Sequence, residues 1–292
     1  MKRTLQISLL LALVVLMMIQ CNVIWRSPQV YHGADADLQP PIMTLEEYTS
    51  SGIINTHVRP YFYTIENTRT RGAVLVFGAE HINDPADKQF DQLRTSWKQF
   101  NPTVALVEGR LGFLFSWTQD PVKRYGESGL TAKLARKAGI RLYSWDPERE
   151  AQVDELLRVY DPLQVGAFFS LRPYLNKYPN LSKSEQDKMM DKLIRERTDH
   201  KGIRGILVST LQLDSLWKAD YPGELNWRTY QHPENGWPEG KLKLMAIRTN
   251  DLRDELMCRS VIELVNKGER VFVTMGTSHA PRVEKTLKHM IR

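Results

Sequence analysis

Two stretches from opposite parts of the chain share one layout. Val74-Leu75-Val76-Phe77-Gly78-Ala79-Glu80-His81 and Val271-Phe272-Val273-Thr274-Met275-Gly276-Thr277-Ser278-His279 each run from apolar, largely β-branched residues to a glycine and, three positions on, a histidine. An apolar run of this length reads as a strand buried on both faces, as in a parallel sheet. The glycine permits a sharp turn where a side chain would clash. His81 and His279 therefore stand just past the carboxyl ends of two strands, where open α/β sheets bind their ligands. Each could also be a plain turn histidine; two matched copies favour a shared site.

The intervening chain fills out the same architecture. Phe90, Leu93, Trp97 and Phe100 recur at helical spacing after Asn83-Asp84-Pro85, and Asn101-Pro102 ends that helix. Thr103 to Val107 reads as a second buried strand, ending in Glu108-Gly109-Arg110. A strand–helix–strand unit in one sheet is parallel and right-handed, so Glu108 falls at the same edge as His81. A carboxylate there is costly to bury unless it is paired or binds a cation. A helix from Leu130 to Ala138 leads to a third strand, Ile140 to Trp145, with Asp146 before Pro147 as a helix cap. From about 148 to 241 the strands stop, and the pattern predicts a helical insertion. It ends in a Pro-, Gly- and Trp-rich loop, Tyr221 to Gly240, that contains His232 and suits a binding segment. A long helix from Leu242 to Asn266 carries Arg253-Asp254 and feeds the second motif strand. The predicted fold is thus α/β: a mostly parallel central sheet flanked by helices, with a helical insertion mid-chain.

The amino terminus points to export. Lys2 and Arg3 precede the uncharged run Ile7 to Ile19, and the apolar stretch can be extended through Val23, Ile24 and Trp25 to Arg26. That is about the ~20 residues a membrane helix needs, with Trp25 at an interface. Cys21 alternatively suits a lipoprotein-like signal, although Gln20 before it does not. Either way residues 1–25 tether the chain to a membrane, with the body on the extracytoplasmic side. Residues 26–71 read as a stalk and lead-in, and 72–292 as the α/β domain. The net charge of +6 comes from scattered Lys and Arg, with no basic block interleaved with aromatics, which argues against a nucleic-acid partner. Only Cys21 and Cys258 occur, so there is no disulfide framework.

Four pieces in order carry a resemblance: Gly78-Ala79-Glu80-His81, Val107-Glu108-Gly109-Arg110, Arg253-Asp254-Glu255-Leu256-Met257 and Gly276-Thr277-Ser278-His279. They resemble the TraB/Tiki (GumN-like) family, grouped with erythromycin-esterase-like and ChaN-like haem-binding proteins. The Tiki branch implies a membrane-tethered, metal-dependent protease outside the cell. The TraB branch implies disposal or sequestration of peptide pheromones, and the esterase-like branch hydrolysis by a His and Glu pair. Asp254 stands where Tiki-like sequences usually have Asn, and Glu80 where many have a small or apolar residue.

Beside the resemblance, the residues support a chemistry of their own. His81, Glu108 and His279 at one edge supply three ligands for a divalent cation such as Mn, Co or Zn, leaving a position for water. Without a metal they could serve as general base and electrostatic stabiliser in hydrolysis of a peptide, an ester or another small substrate. Glu80 accompanies His81 as a candidate. Arg110 and Arg253 are fixed cations suited to an oxyanion or a substrate carboxylate, unless Arg253 pairs with Glu108 or Asp254. The alternative to a hydrolase is a binding module for haem, a metal or a peptide pheromone. In the haem version Trp227, Tyr230 and Trp237 would line the site. No G-x-S-x-G elbow, H-E-x-x-H helix or phosphate-binding glycine loop is present.

Overall fold

Strand β3 (Ala73–Ala79) is buried along its whole length, and β7 (Arg270–Gly276) along all but its first residue, so both are central. They pair with each other in parallel, Val74 opposite Val271 and Ala79 opposite Gly276. The computed structural model describes residues 24–175, 181–223, 226–230 and 236–291, together with Ser8 and Met17. Its main sheet has five strands in the order β2-β3-β7-β4-β6, with β2 at Tyr61–Glu66, β4 at Val104–Val107 and β6 at Arg141–Ser144. Only the edge strand β2 is antiparallel; its burial alternates, as expected for a strand with one face in solvent.

Alternate residues of the central strands feed two hydrophobic layers. Val74, Val76, Leu106, Val271, Val273 and Met275 pack with Met257, Val261, Val283 and Leu287 from two helices. Those helices are α9 (Lys241–Asn266) and α10 (His279–Met290). On the other face Leu75, Phe77 and Phe272 meet Phe90 and Leu93 of α3 (Lys88–Phe100) and Val122 and Leu130 of α4 (Pro121–Ala138). Helix α3 begins later than the Asn83-Asp84-Pro85 signal implied, because Asp87 is its cap and accepts from the Gln89 N–H at 2.8 Å.

The chain divides into two compact units, Met1–Pro147 with Arg253–Arg292, and Glu148–Leu252. Within the described residues the second unit is helical: α5 (Arg149–Leu157), α6 (Pro162–Leu171), α7 (Lys183–Arg197), α8 (Thr210–Asp220) and the start of α9. Trp227 and Tyr230 are buried in its core and Trp237 packs against it. Trp227 donates its Nε1–H to Asp214 at 2.7 Å and lies edge-on to Tyr174. These aromatics are core of the second unit. His232 lies outside the described residues.

Residues 26–71 are not a bare stalk. Leu38, Ile42 and Ile65 enter the main core, and two short helices, α1 (Leu45–Ser50) and α2 (Ile53–Thr56), precede β2. Among the described residues no helix is long and apolar enough to cross a membrane. The expected export segment falls mostly outside the described residues, but its assigned end does not. Ile24–Trp25 form strand β1, paired antiparallel with β5 (Leu114–Phe115), and both residues are buried. Trp25 packs with Val107, Leu111, Leu114 and Ala132, under the Arg136 guanidinium at 5.0 Å. The indole finds an apolar niche in the folded unit, so it does not mark a membrane interface.

Candidate functional site

The carboxyl edge of the sheet is built by three neighbouring strands, β3, β7 and β4, and their extensions carry His81, His279 and Glu108. Glu108 is the centre. Its Oε2 accepts from the Gly276 backbone N–H at 2.6 Å, and its Oε1 accepts from Arg253 Nη2 at 2.6 Å. Arg253 also donates from Nε to Asp146 at 2.6 Å and lies over the Trp145 ring at 5.4 Å. Asp146 is thereby an ion-pair partner; the cap of the next helix is Glu148. Burial alone would push the Glu108 carboxyl up, but Arg253, then His279, His81 and the Gly276 N–H, outweigh it and hold the group at about 2. Burial would likewise lower Arg253, and Asp146 and Glu108 more than reverse it.

His81 sits on the exposed side of Glu108, with 64% of its side chain accessible, and its Nδ1 meets Glu127 Oε1 at 2.9 Å. That hydrogen bond, aided by the negative charge of Glu108 and opposed by burial, raises His81 to about 9. At neutral pH His81 therefore keeps its proton, with Glu127 as the hydrogen-bond partner. Glu127 itself is raised, because its burial outweighs the help from His81. The sequence reading missed Glu127. A local irregularity brings it there: Tyr125 and Gly126 leave helical geometry inside α4, Gly126 with φ 53°. A Cβ on Gly126 would stand 2.9 Å from the Ile82 carbonyl oxygen, so only glycine lets the helix approach the loop after His81 so closely.

His279 belongs to a different setting. It is the first residue of α10, almost fully buried, with Nδ1 2.6 Å from Asp254 Oδ1 and its ring edge-on to Trp145. Asp254, fully buried, is held from its other oxygen by Arg282 Nη1 at 2.7 Å, and Arg282 donates from Nε to the Met43 carbonyl at 2.8 Å. With Asp254 accepting at Nδ1, His279 presents Nε2 toward Glu108 Oε1, 3.8 Å away.

Among the described residues, the group whose ligand atoms all lie within 4.8 Å of one another is His81, Glu108 and Glu127; His279 is not part of it. One imidazole and two carboxylates are a donor set for a divalent cation. Gly276 leaves room for it: a Cβ there would come within 2.7 Å of His81 Nε2 and 3.6 Å of Glu108 Oε2. These residues fit a metal ion. They line a cleft of about 250 Å³ with Asn83, Arg110, Leu111, Tyr125 and Ser128. Arg110 is exposed in that wall. Glu80 is turned away: its carboxylate pairs with Arg59 at 3.0 Å, and it is not part of the cleft wall. Set against models of protein families, curated proteins and solved structures, the chain matches none.

Proposed function

We propose that this chain is a membrane-tethered hydrolase of peptides or esters, working outside the cytoplasm, with its centre at His81, Glu108 and Glu127. The observation that carries this reading is the convergence of those three ligand groups in an open cleft with Arg110 in its wall. The order of the TraB/Tiki-like motifs supports it, as does the apolar amino terminus. A divalent cation bound there would lower the pKa of a water molecule and polarise the scissile carbonyl.

The protein's own groups divide the remaining work. Arg253 and the Gly276 N–H hold Glu108 ionised and in one orientation, so it keeps its charge at any physiological pH. Arg253 is committed to two carboxylates, which makes it a positioning residue. Arg110 is left to receive a substrate carboxylate or the developing oxyanion. Leu111 and Tyr125 supply apolar wall for the substrate group beside the scissile bond. Asp254 fixes His279 with Nε2 toward Glu108.

The test is calorimetric titration of the full chain with manganese, cobalt and zinc, paired with a screen of peptides and esters. Glu127→Gln is expected to weaken metal binding by about a hundredfold, or about 2.7 kcal/mol, and to remove turnover. Arg110→Ala is expected to raise KM with metal binding unchanged. Metal binding indifferent to Glu127→Gln would overturn the assignment of the centre. Binding without turnover of any substrate would leave a metal-holding module in place of a hydrolase.

A further inference from the structure

Among the described residues of the first unit, three of the large apolar side chains left in solvent fall within five residues. Phe113 is 67% exposed, Phe115 43% and Trp117 71%, all in or beside the short strand β5. This aromatic tip is held in place. Gln119 accepts from the Phe115 N–H through its side chain, and its own N–H returns to the Phe115 carbonyl, at 3.0 and 2.9 Å. Tyr125 donates its hydroxyl to the Phe113 carbonyl at 3.4 Å, and the Gly112 N–H donates to Ser27 Oγ at 2.8 Å. A fold that spends hydrogen bonds to present three aromatics to solvent is presenting them to something apolar.

What covers them follows from the pairing of β5. Its partner is β1, with Ile24 opposite Phe115, and Ile24 stands five positions after Ile19, the end of the apolar amino-terminal run. Paired strands lie about 4.8 Å apart. A link of five residues spans at most ~18 Å, so a bilayer that takes up the run comes within reach of Phe115 and its neighbours. Trp settles at the boundary of lipid and water, and Phe beside it is an apolar side chain of the kind that interfacial segments bury at the headgroup and acyl boundary. The charges agree: Arg26, Lys123 and Arg124 are exposed around the tip. The acid among them, Asp120, accepts from the Val122 and Lys123 N–H groups as a helix cap. A second apolar group, Ile206, Val208 and Leu211, belongs to the other unit, is aliphatic, and has no such continuity.

We infer that Phe113, Phe115 and Trp117 insert into the surface of an anionic lipid bilayer beside the point where the amino-terminal run enters it. The tip is then a second contact with the membrane besides the run itself. Leu111, in the cleft wall, is two residues from Phe113, so insertion keeps the cleft at the lipid surface and favours substrates that are themselves held there. This inference does not depend on hydrolysis.

The test uses the full chain in vesicles of phosphatidylcholine and phosphatidylglycerol. Cys21→Ser leaves the buried Cys258 as the native thiol. Trp117→Cys then carries an environment-sensitive fluorophore, with Phe113→Cys as an independent position and Leu211→Cys as the comparison. Lipids brominated in their acyl chains are expected to lower emission at 117 and 113 at least twofold and leave 211 unchanged, while iodide in the water quenches 211 alone. Quenching of 117 and 113 by iodide and not by brominated lipid would overturn the inference, as would recovery of the chain outside the vesicles. Labels at 117 and 113 reached by neither quencher would show that the chain's own run, or a second copy, covers the tip, and would overturn it equally.

Discussion

The two glycine–histidine motifs are alike in sequence and end in opposite surroundings. His81 is largely exposed and paired with Glu127, in the wall of an open cleft. His279 is buried, edge-on to Trp145, and fixed by a carboxylate that is itself fixed by Arg282. The cause lies in the register. Gly78 pairs with Met275, and Ala79 with Gly276, so the second motif is offset by one residue from the first. An offset of one exchanges the faces of the sheet. Met275 belongs to the layer packed by α9 and α10, and Ala79 to the layer packed by α3 and α4. Gly276 therefore opens toward His81, and the chain beyond it turns directly into α10, taking His279 under cover. A motif of this kind specifies the end of a strand; the register decides whether the histidine there is accessible or built in.

The contrast can be broken at either corner. The largest effect is expected at the covered one. Asp254→Ala takes the shared carboxylate from buried Arg282 and His279, and an uncompensated buried charge costs ~3–5 kcal/mol. Urea unfolding of the metal-free chain measures it, and a loss below about 1 kcal/mol would mean that Asp254 does not lock this corner.

The open corner should answer to pH instead. His81 keeps its proton up to about 9, and a divalent cation must displace that proton to bind there. Metal affinity is expected to rise about tenfold for each pH unit between about 7 and about 9 and then level off. Titration calorimetry in several buffers gives both the affinity and the proton released; a flat profile would remove His81 from the ligand set. Stability of the metal-free chain should move the other way. The folded pKa is raised from 6.5, so the stabilisation from the Glu127 pair is complete below about 6.5 and is lost as pH rises through about 9. The exposure of His81 keeps that loss small.

A smaller change sharpens the comparison. Gly276→Ala places a methyl group 2.7 Å from His81 Nε2. Overpacking of a rigid site costs ~1–3 kcal/mol. Here the accessible imidazole can swing aside, so the cost is expected at the lower end and metal affinity should fall by about tenfold. Unaltered affinity, measured in the same calorimeter, would show that the ion does not use the space that Gly276 leaves.

Much of this edge was legible from the sequence because buried strands announce their ends. Val74 to Phe77 and Val104 to Val107 are uninterrupted apolar runs, Val271 to Met275 is broken only by Thr274, and the polar residues just beyond them belong to the edge by necessity. Sheet order was not legible: nothing local in β7 says that it lies between β3 and β4. Glu127 was missed because Gly126 and Gly129 interrupt the periodicity that would have extended the helix back from Leu130 to Pro121. The clue available was an acid set among Gly126, Ser128 and Gly129, small residues that mark a close approach. Ile24 and Trp25 were read as membrane because hydropathy cannot distinguish the last turn of a span from the first buried strand of a fold. Asp146 was read as a cap because its other use, as the second carboxylate on Arg253, depends on a residue far along the chain.

The clasp between Arg282 and the segment near residue 43 bears on how much chain this site requires. Met43 donates its N–H to the Arg282 carbonyl at 3.1 Å while accepting from the guanidinium, and Thr286 donates its hydroxyl to the Pro40 carbonyl at 2.9 Å. The helix that orients His279 is thus strapped down by residues that precede every recognisable motif. A fragment cut at Gly72, where the first motif strand begins, would discard that strap together with the edge strand Tyr61–Glu66. Its second histidine would lose its bearings with no ligand residue altered. The chain this site requires therefore reaches back some thirty residues before the first motif strand, about five or six strand lengths, and no pattern of glycines and histidines flags it.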